Sequence, residues 1–132
     1  MKQFIVKTNS RFEMKDITNQ VRSVVCESNV KNGVCYVFVP HTTAAVTINE
    51  NADPDVPRDI IMELDKVIPL HDNYSHMEGN SAAHIKSSLI GTSEMVFIEN
   101  GDIVLGTWQS LFFCEFDGPR TRKVYVKLVP TE

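Results

Sequence analysis

The sequence predicts an α+β domain in which two or three helices pack against an antiparallel sheet, a partly closed barrel or a sandwich. Three observations point that way. Val34–Val39 is an almost unbroken apolar run, which suits a strand covered on both faces. Residues 54–68 repeat Val56, Ile60, Ile61, Leu64, Val67 and Ile68 at helical spacing. After Gly91 the chain reads as strand, interrupted by Asn100-Gly101, the strongest short hairpin signal. The 132 residues fit one domain, 1–132, and no linker, repeat or low-complexity tract divides them.

Taken in order, Gln3–Thr8 alternates around Ile5 and reads as a strand. Residues 16–29 place Ile17, Val21, Val24 and Val25 on one helical face, with Asp16 as N-cap and Asn32-Gly33 as the turn beyond. Pro40 ends the apolar strand, and Ala44–Asn49 follows with Ala44, Val46 and Ile48 on one side. Asp53 caps the 54–68 helix, Pro54 takes its first position and Pro69 closes it. A polar loop from Leu70 to Gly79 leads to a shorter helix near 80–90, with Asn80 or Ser81 as cap and Gly91 as stop. Ser93–Glu99 and the stretch from Asp102 flank the hairpin turn. Residues 102–116 are long enough for two strands or one bent strand, with Gly106 at the irregularity. Asp117-Gly118-Pro119 turns into a last strand, Thr121–Val129.

The formal charge is −4. Without a basic surplus, neither nucleic acid nor an anionic membrane is an expected partner. No apolar run approaches the length of a membrane span, and the opening MKQFIVKTNS has no signal-peptide core. Cys26, Cys35 and Cys114 are odd in number and form no CxxC pair, which suits a reducing compartment. The expectation is a cytoplasmic protein.

Three constellations can carry chemistry. Four histidines, His41, His71, His76 and His84, fall within one stretch of the chain. Neutral imidazoles converging there would suit a zinc-like ion, although the spacing matches no diagnostic metal motif and separate hydrogen-bonding roles are the alternative. Between Glu50 and Asp65 six carboxylates meet only Arg58. Glu50 and Asp53 could hold Mg²⁺, or Asp53 could simply cap the helix; Asp59, Glu63 and Asp65 read as a solvated face. In GTWQSLFFCEFDGPR, residues 106–120, an unbulged strand puts Gln109, Leu111, Phe113 and Glu115 on one face, with Trp108, Phe112, Cys114 and Phe116 on the other. Trp108 reads as core. A carboxylate in so apolar a strand needs a metal, an arginine or a polar ligand. Asp117 and Arg120 form a stiff corner that either aims a guanidinium at phosphate oxygens or pins the turn. No GxSxG, GxGxxG or P-loop is present, which disfavours those nucleophile and nucleotide modes.

Taken together, HTTAAVTINENADPDVPRD (41–59), HMEGNSAAHIKSSLIG (76–91) and ENGDIVLGTWQSLFFCEFDGPRTR (99–122) resemble the YjbQ family of small bacterial and archaeal proteins. The resemblance implies a compact α+β domain assembled as a homotrimer, and a weak thiamine-phosphate synthase activity. It places the family's polar residues at His41, Thr42, Asn49, Glu50, Asp53, His76, Asn80, His84, Gln109, Glu115, Asp117 and Arg120; His71 lies outside the pattern. On that reading His41, His76 and His84 hold a metal. Glu50, Gln109, Glu115 and Arg120 act in catalysis, and Thr42, Asn49, Asp53, Asn80, Asp117 and Arg120 bind a small phosphorylated substrate, with Arg122 a further phosphate contact. The divalent metal is either a zinc-like ion on the histidines or Mg²⁺ with pyrophosphate. The alternatives are a zinc-like metal-dependent hydrolase, with Glu50 or Glu115 as base, and a non-catalytic trimeric metal- or ligand-binding protein.

Overall fold

The structure is a computed structural model that describes residues 1–131. Eight strands and three helices follow in the order β1 (Lys2–Lys7), β2 (Glu13–Asp16), α1 (Thr18–Ser28), β3 (Gly33–Phe38), β4 (Ala44–Glu50), α2 (Asp55–Val67), α3 (Ser81–Ile90), β5 (Ser93–Glu99), β6 (Asp102–Ile103), β7 (Gln109–Glu115) and β8 (Thr121–Pro130). They form a five-stranded sheet, β1-β8-β3-β5-β6, and a three-stranded sheet, β2-β7-β4, with antiparallel pairing throughout. With helices packed on antiparallel sheets, one of them curled into a half-barrel, this is the expected α+β architecture.

Central to the packing is β7, which is apolar on both faces. Leu111 and Phe113 join Val37, Val46, Val96 and Val126 in the main core between the sheets, closed on one side by Ile17, Val21 and Val25 of the α1 region. Phe112 and Cys114, with Phe116 just beyond the strand, point the other way and pack with Ala45, Ala83, Leu64 and Ile90 beneath α2 and α3. The alternation of β7 therefore supplies two cores from one strand.

Local chemistry sets the boundaries. Asp16 Oδ1 accepts the Thr18 N–H at 2.9 Å, so it starts α1 from outside the helix, while Asp16 itself ends β2. That short strand has no apolar alternation to announce it. Asn29, with φ 61°, ends α1 ahead of Asn32-Gly33. Asn100 and Gly101 both have positive φ, as the tight hairpin between β5 and β6 requires. Residues 102–116 divide into two strands, and the Gly106 N–H donates to Gln109 Oε1 at 2.8 Å in the turn between them. Trp108 corrects its reading as core: it sits in this turn ahead of β7 and is 64% exposed. The alternation that would bury it begins only at Gln109.

Candidate functional site

The floor of the site is a buried ion pair between the two sheets. Glu115 ends β7 and is fully buried; Arg122, near the start of β8, is 4% exposed. The guanidinium reaches both carboxylate oxygens, Nε donating to Oε1 at 2.8 Å and Nη2 to Oε2. The Thr8 hydroxyl adds a bond to Oε1 at 2.8 Å and the Asp117 N–H one to Oε2 at 3.0 Å. Burial pushes the Glu115 carboxyl up, but the bonds from Arg122, Asp117 and Thr8, with the Arg122 charge, outweigh it and hold the group below the usual carboxylate range. Arg122 Nη2 also donates to Thr43 Oγ1 at 2.9 Å, tying in the loop between β3 and β4. Glu115 is thus enclosed among donors, and Arg122 is engaged with it at the base of the site.

Above this floor, the Asp117 corner aims Arg120. Arg120 Nε donates to the Asp117 carbonyl at 2.8 Å and Nη2 to Asp117 Oδ2 at 2.9 Å, and the Arg120 side chain is 53% exposed. The same Oδ2 accepts Asn80 Nδ2 at 2.9 Å, and Arg11 stands 3.6 Å from Oδ1. Asp117 thus orients Asn80 and leaves Asn80 Oδ1 buried without a donor among the described residues. Glycine is required at the corner, because a Cβ on Gly118 would lie 2.3 Å from the Ser10 carbonyl oxygen and 2.8 Å from Glu115 Cγ.

A cavity of about 380 Å³ opens over this corner, lined by His41, Thr42, Asn80, His84, Arg120 and Arg122, with Glu78 as its one acidic side chain. A neighbouring cavity of about 490 Å³ shares His41, Thr42 and His84 and continues to Ser87, Ser88 and Thr92. His41 Nε2 accepts the Lys123 N–H at 2.9 Å, which in the neutral ring puts the proton on Nδ1. Burial and the Arg122 charge both lower its pKa, so the ring stays neutral at physiological pH.

The third expected metal residue, His76, lies against His84, with ring centres 5.3 Å apart in an edge-to-face arrangement. That separation is the ordinary one for two rings in edge-to-face contact. Glu78 Oε2 stands 4.0 Å from His76 Nε2. As a metal ligand His41 fits less well, since its Nε2 lone pair already takes the Lys123 N–H. Among the described residues, no three His, Cys, Asp or Glu side chains are grouped as a ligand set.

Asn49, Glu50, Asp53 and Gln109 lie elsewhere. In the β4–β7 register Ala44 faces Glu115 at the site end and Glu50 faces Gln109 at the other. Six residue steps of strand separate the ends by about 20 Å. There Asn49 Oδ1 accepts the Glu50 N–H at 2.7 Å, Asp53 Oδ1 accepts the Asp55 N–H at 2.9 Å, and Gln109 serves its own turn. The structure therefore gathers His41, Thr42, His76, Asn80, His84, Asp117 and Arg120, and leaves these four apart. Thr8 and Thr43, which complete the floor, are ordinary hydroxyl residues with no sequence signal beyond lying at strand ends.

The family profile described as UPF0047 protein YjbQ-like matches residues 2–131. The chain belongs to the YjbQ family. It is 54% identical over 127 residues to a UPF0047 protein of Methanocaldococcus jannaschii, covering 96% of this chain and 92% of that one. With the UPF0047 protein YugU of Bacillus subtilis it shares 51% over 130 residues, 98% of each chain. Among solved structures, a YjbQ/UPF0047 protein of Clostridium acetobutylicum superimposes with a TM-score of 0.96 at 56% identity, over 98% of this chain and 100% of that one. A YjbQ-like protein of unknown function from Sulfolobus solfataricus gives 0.94 at 33% identity, over 98% and 96%.

The floor of this YjbQ-family site makes a stability prediction. Glu115→Gln leaves the Arg122 charge buried without its counter-charge and costs about 3–5 kcal/mol, read from urea unfolding followed by circular dichroism. Because the carboxyl is held below its ordinary 4.5, its contribution is complete above that pH and is lost as pH falls through the lowered value. The stability gap between wild type and variant is therefore expected to be constant near neutrality and to shrink in acid.

Proposed function

We infer that the protein binds a small phosphate-bearing substrate in the His41–Arg120 cavity and acts as a transferase of the thiamine-phosphate synthase type. One observation carries the reading: Arg120 is held by both the carbonyl and the carboxylate of Asp117, yet half of it is exposed over a cavity lined by Thr42, Asn80, His41 and His84. A guanidinium fixed in orientation and open on one side suits phosphate oxygens. The family membership is consistent with this reading, and none of the relatives described above is named for an activity.

In the reaction, the C–O bond of a pyrimidine methyl pyrophosphate breaks and pyrophosphate leaves with the electron pair. The methylene cation is captured by the ring nitrogen of a thiazole phosphate, giving thiamine phosphate. Arg120 would stabilise charge developing on the leaving oxygens, and the His41 Nδ1–H would donate a further hydrogen bond. The protein's contribution is chiefly orientation and charge stabilisation. A divalent ion would supply additional neutralisation of the pyrophosphate. Arg120→Ala is expected to lower thiamine phosphate formation from the two substrates at least about a hundredfold, in line with the loss of one transition-state donor, while circular dichroism stays unchanged. Wild type giving no product, or a fully active Arg120→Ala variant, would reject the assignment.

The His76–His84 pair favours one second reading, a zinc-like hydrolase, in which Glu78, 4.0 Å from His76 Nε2, joins Glu50 and Glu115 as a candidate base. On that reading wild type binds one transition metal per chain by elemental analysis, and folded His84→Ala loses it. His41→Ala retains most of it, because the His41 Nε2 already has a partner.

The assembly we propose is the homotrimer. Its support is the outer face of the five-stranded sheet, where Ile5, Tyr36, Phe38, Met95, Phe97 and Val129 are all between 43% and 55% exposed. On neighbouring strands Met95 lies opposite Tyr36, and Phe97 opposite Val34, which in turn faces Val129. Lys123 and Lys127 of β8 border this apolar area opposite Ile5 and Tyr36. An apolar area of this kind calls for a covering surface. Among the described residues no helix is long and apolar enough to cross a membrane. Light scattering is expected to give three chains for wild type and a smaller species for Phe97→Asp; a monomeric wild type would reject the trimer.

A further inference from the structure

A third cavity, about 280 Å³ in volume, adjoins the phosphate-binding end on the far side of His84. Tyr74, His76 and Ile85 give it a mostly apolar wall, with Ser75, Ser81 and His84 completing the lining. Its chemistry is the opposite of the Arg120 side. The Tyr74 hydroxyl donates to the Pro69 carbonyl at 2.6 Å, which anchors the phenol while its ring lines the cavity. Ile85 projects from α3 with 43% of its surface exposed, and the His76 and His84 rings already meet edge to face. His84 lines all three cavities and so stands between the cationic and the apolar parts.

We propose that this cavity is a ring subsite: it takes a planar aromatic group carried on the phosphate substrate, so the site selects aryl over small alkyl phosphates. The inference rests on the phosphate reading above and names the part of the fold that holds the rest of the molecule. Size agrees, since an apolar cavity of about 150 Å³ accepts benzene and this one has room for a substituted single ring. The wall agrees as well. Aromatic side chains receive another ring in stacked or edge-on geometry, and the Ser75 and Ser81 hydroxyls at the lining can meet ring heteroatoms. His84 then has a positioning role, with one face toward the phosphate cavity and the other toward the ring.

The test titrates inorganic phosphate, methyl phosphate, phenyl phosphate and benzyl alcohol into wild type, Arg120→Ala, Tyr74→Ala and Ile85→Ser, using calorimetry and methyl NMR. Phenyl phosphate is expected to bind wild type at least about tenfold tighter than methyl phosphate, the gain for burying part of one ring. Tyr74→Ala and Ile85→Ser should lose that gain and keep their affinity for inorganic phosphate. Arg120→Ala should weaken all three phosphates together. Equal affinity for methyl and phenyl phosphate in wild type overturns the ring subsite while leaving the phosphate reading intact, as does a gain that survives both cavity variants. If no phosphate binds, the phosphate reading fails, and benzyl alcohol decides the subsite: shifts centred on the Ile85 methyls support it, and unchanged spectra overturn it.

Discussion

The Glu115–Arg122 pair is the constraint on which the rest depends, because it is where the two sheets are joined by charge. Glu115 belongs to the three-stranded sheet and Arg122 to the five-stranded one. Two further elements close on them, the end of β1 through Thr8 and the loop before β4 through Thr43. A buried pair of this kind contributes little net stability compared with apolar packing, since desolvating both charges offsets their attraction. What it does supply is direction. A carboxylate accepting several defined donors permits one arrangement of the strands around it, and the same arrangement places Asp117 and Arg120 above it.

That placement explains why the cationic end of the site exists on a protein with a formal charge of −4. Arg122 is compensated by Glu115, and Arg120 is held by Asp117 but not enclosed by it. The remaining polar lining is neutral apart from Glu78, with His41 kept uncharged by burial and by Arg122. An oriented guanidinium in a concave setting acts more strongly on an anion than the same group on a flat surface. The acidic residues of α2 are carried on another element and do not line this cavity.

Periodicity exposed the fold and was nearly silent about the site. The strand pattern of residues 34–39, the helical repeat of 54–68 and the Asn100-Gly101 turn each state their structure locally, and each is present. The two-faced character of β7 was legible too, because strict alternation assigns Leu111 and Phe113 to one side and Phe112 and Cys114 to the other. The short β2 was not legible, since Glu13–Asp16 is polar and gains its conformation by pairing with β7. Trp108 misleads for the converse reason: its apolar neighbours belong to the strand, but the turn before Gln109 breaks their alternation. For the site, the family resemblance grouped Asn49 and Glu50 with His41, and Gln109 with Glu115, residues near one another in the sequence. Extended strands convert that proximity into distance, so residues six apart on β4 or β7 stand at opposite ends of the sheet.

The same geometry decides how the histidines divide their work. His41 is fixed by a backbone donor on β8, and this bond persists only while Nε2 keeps its lone pair. Protonating the ring, or coordinating a metal through Nε2, would free the Lys123 N–H and leave a backbone donor unpaired at the edge of the site. His41 is therefore best suited to presenting Nδ1–H toward a ligand oxygen, a role that needs neutrality and a fixed tautomer. His76 and His84 face each other instead, one on the loop before α3 and the other on α3 itself, with no backbone hydrogen bond to either ring nitrogen among the described residues. The histidines that the resemblance implies as a single triad are thus divided, a fixed donor on the β side and a pair of facing rings on the helical side, with His84 lining the cavities of both.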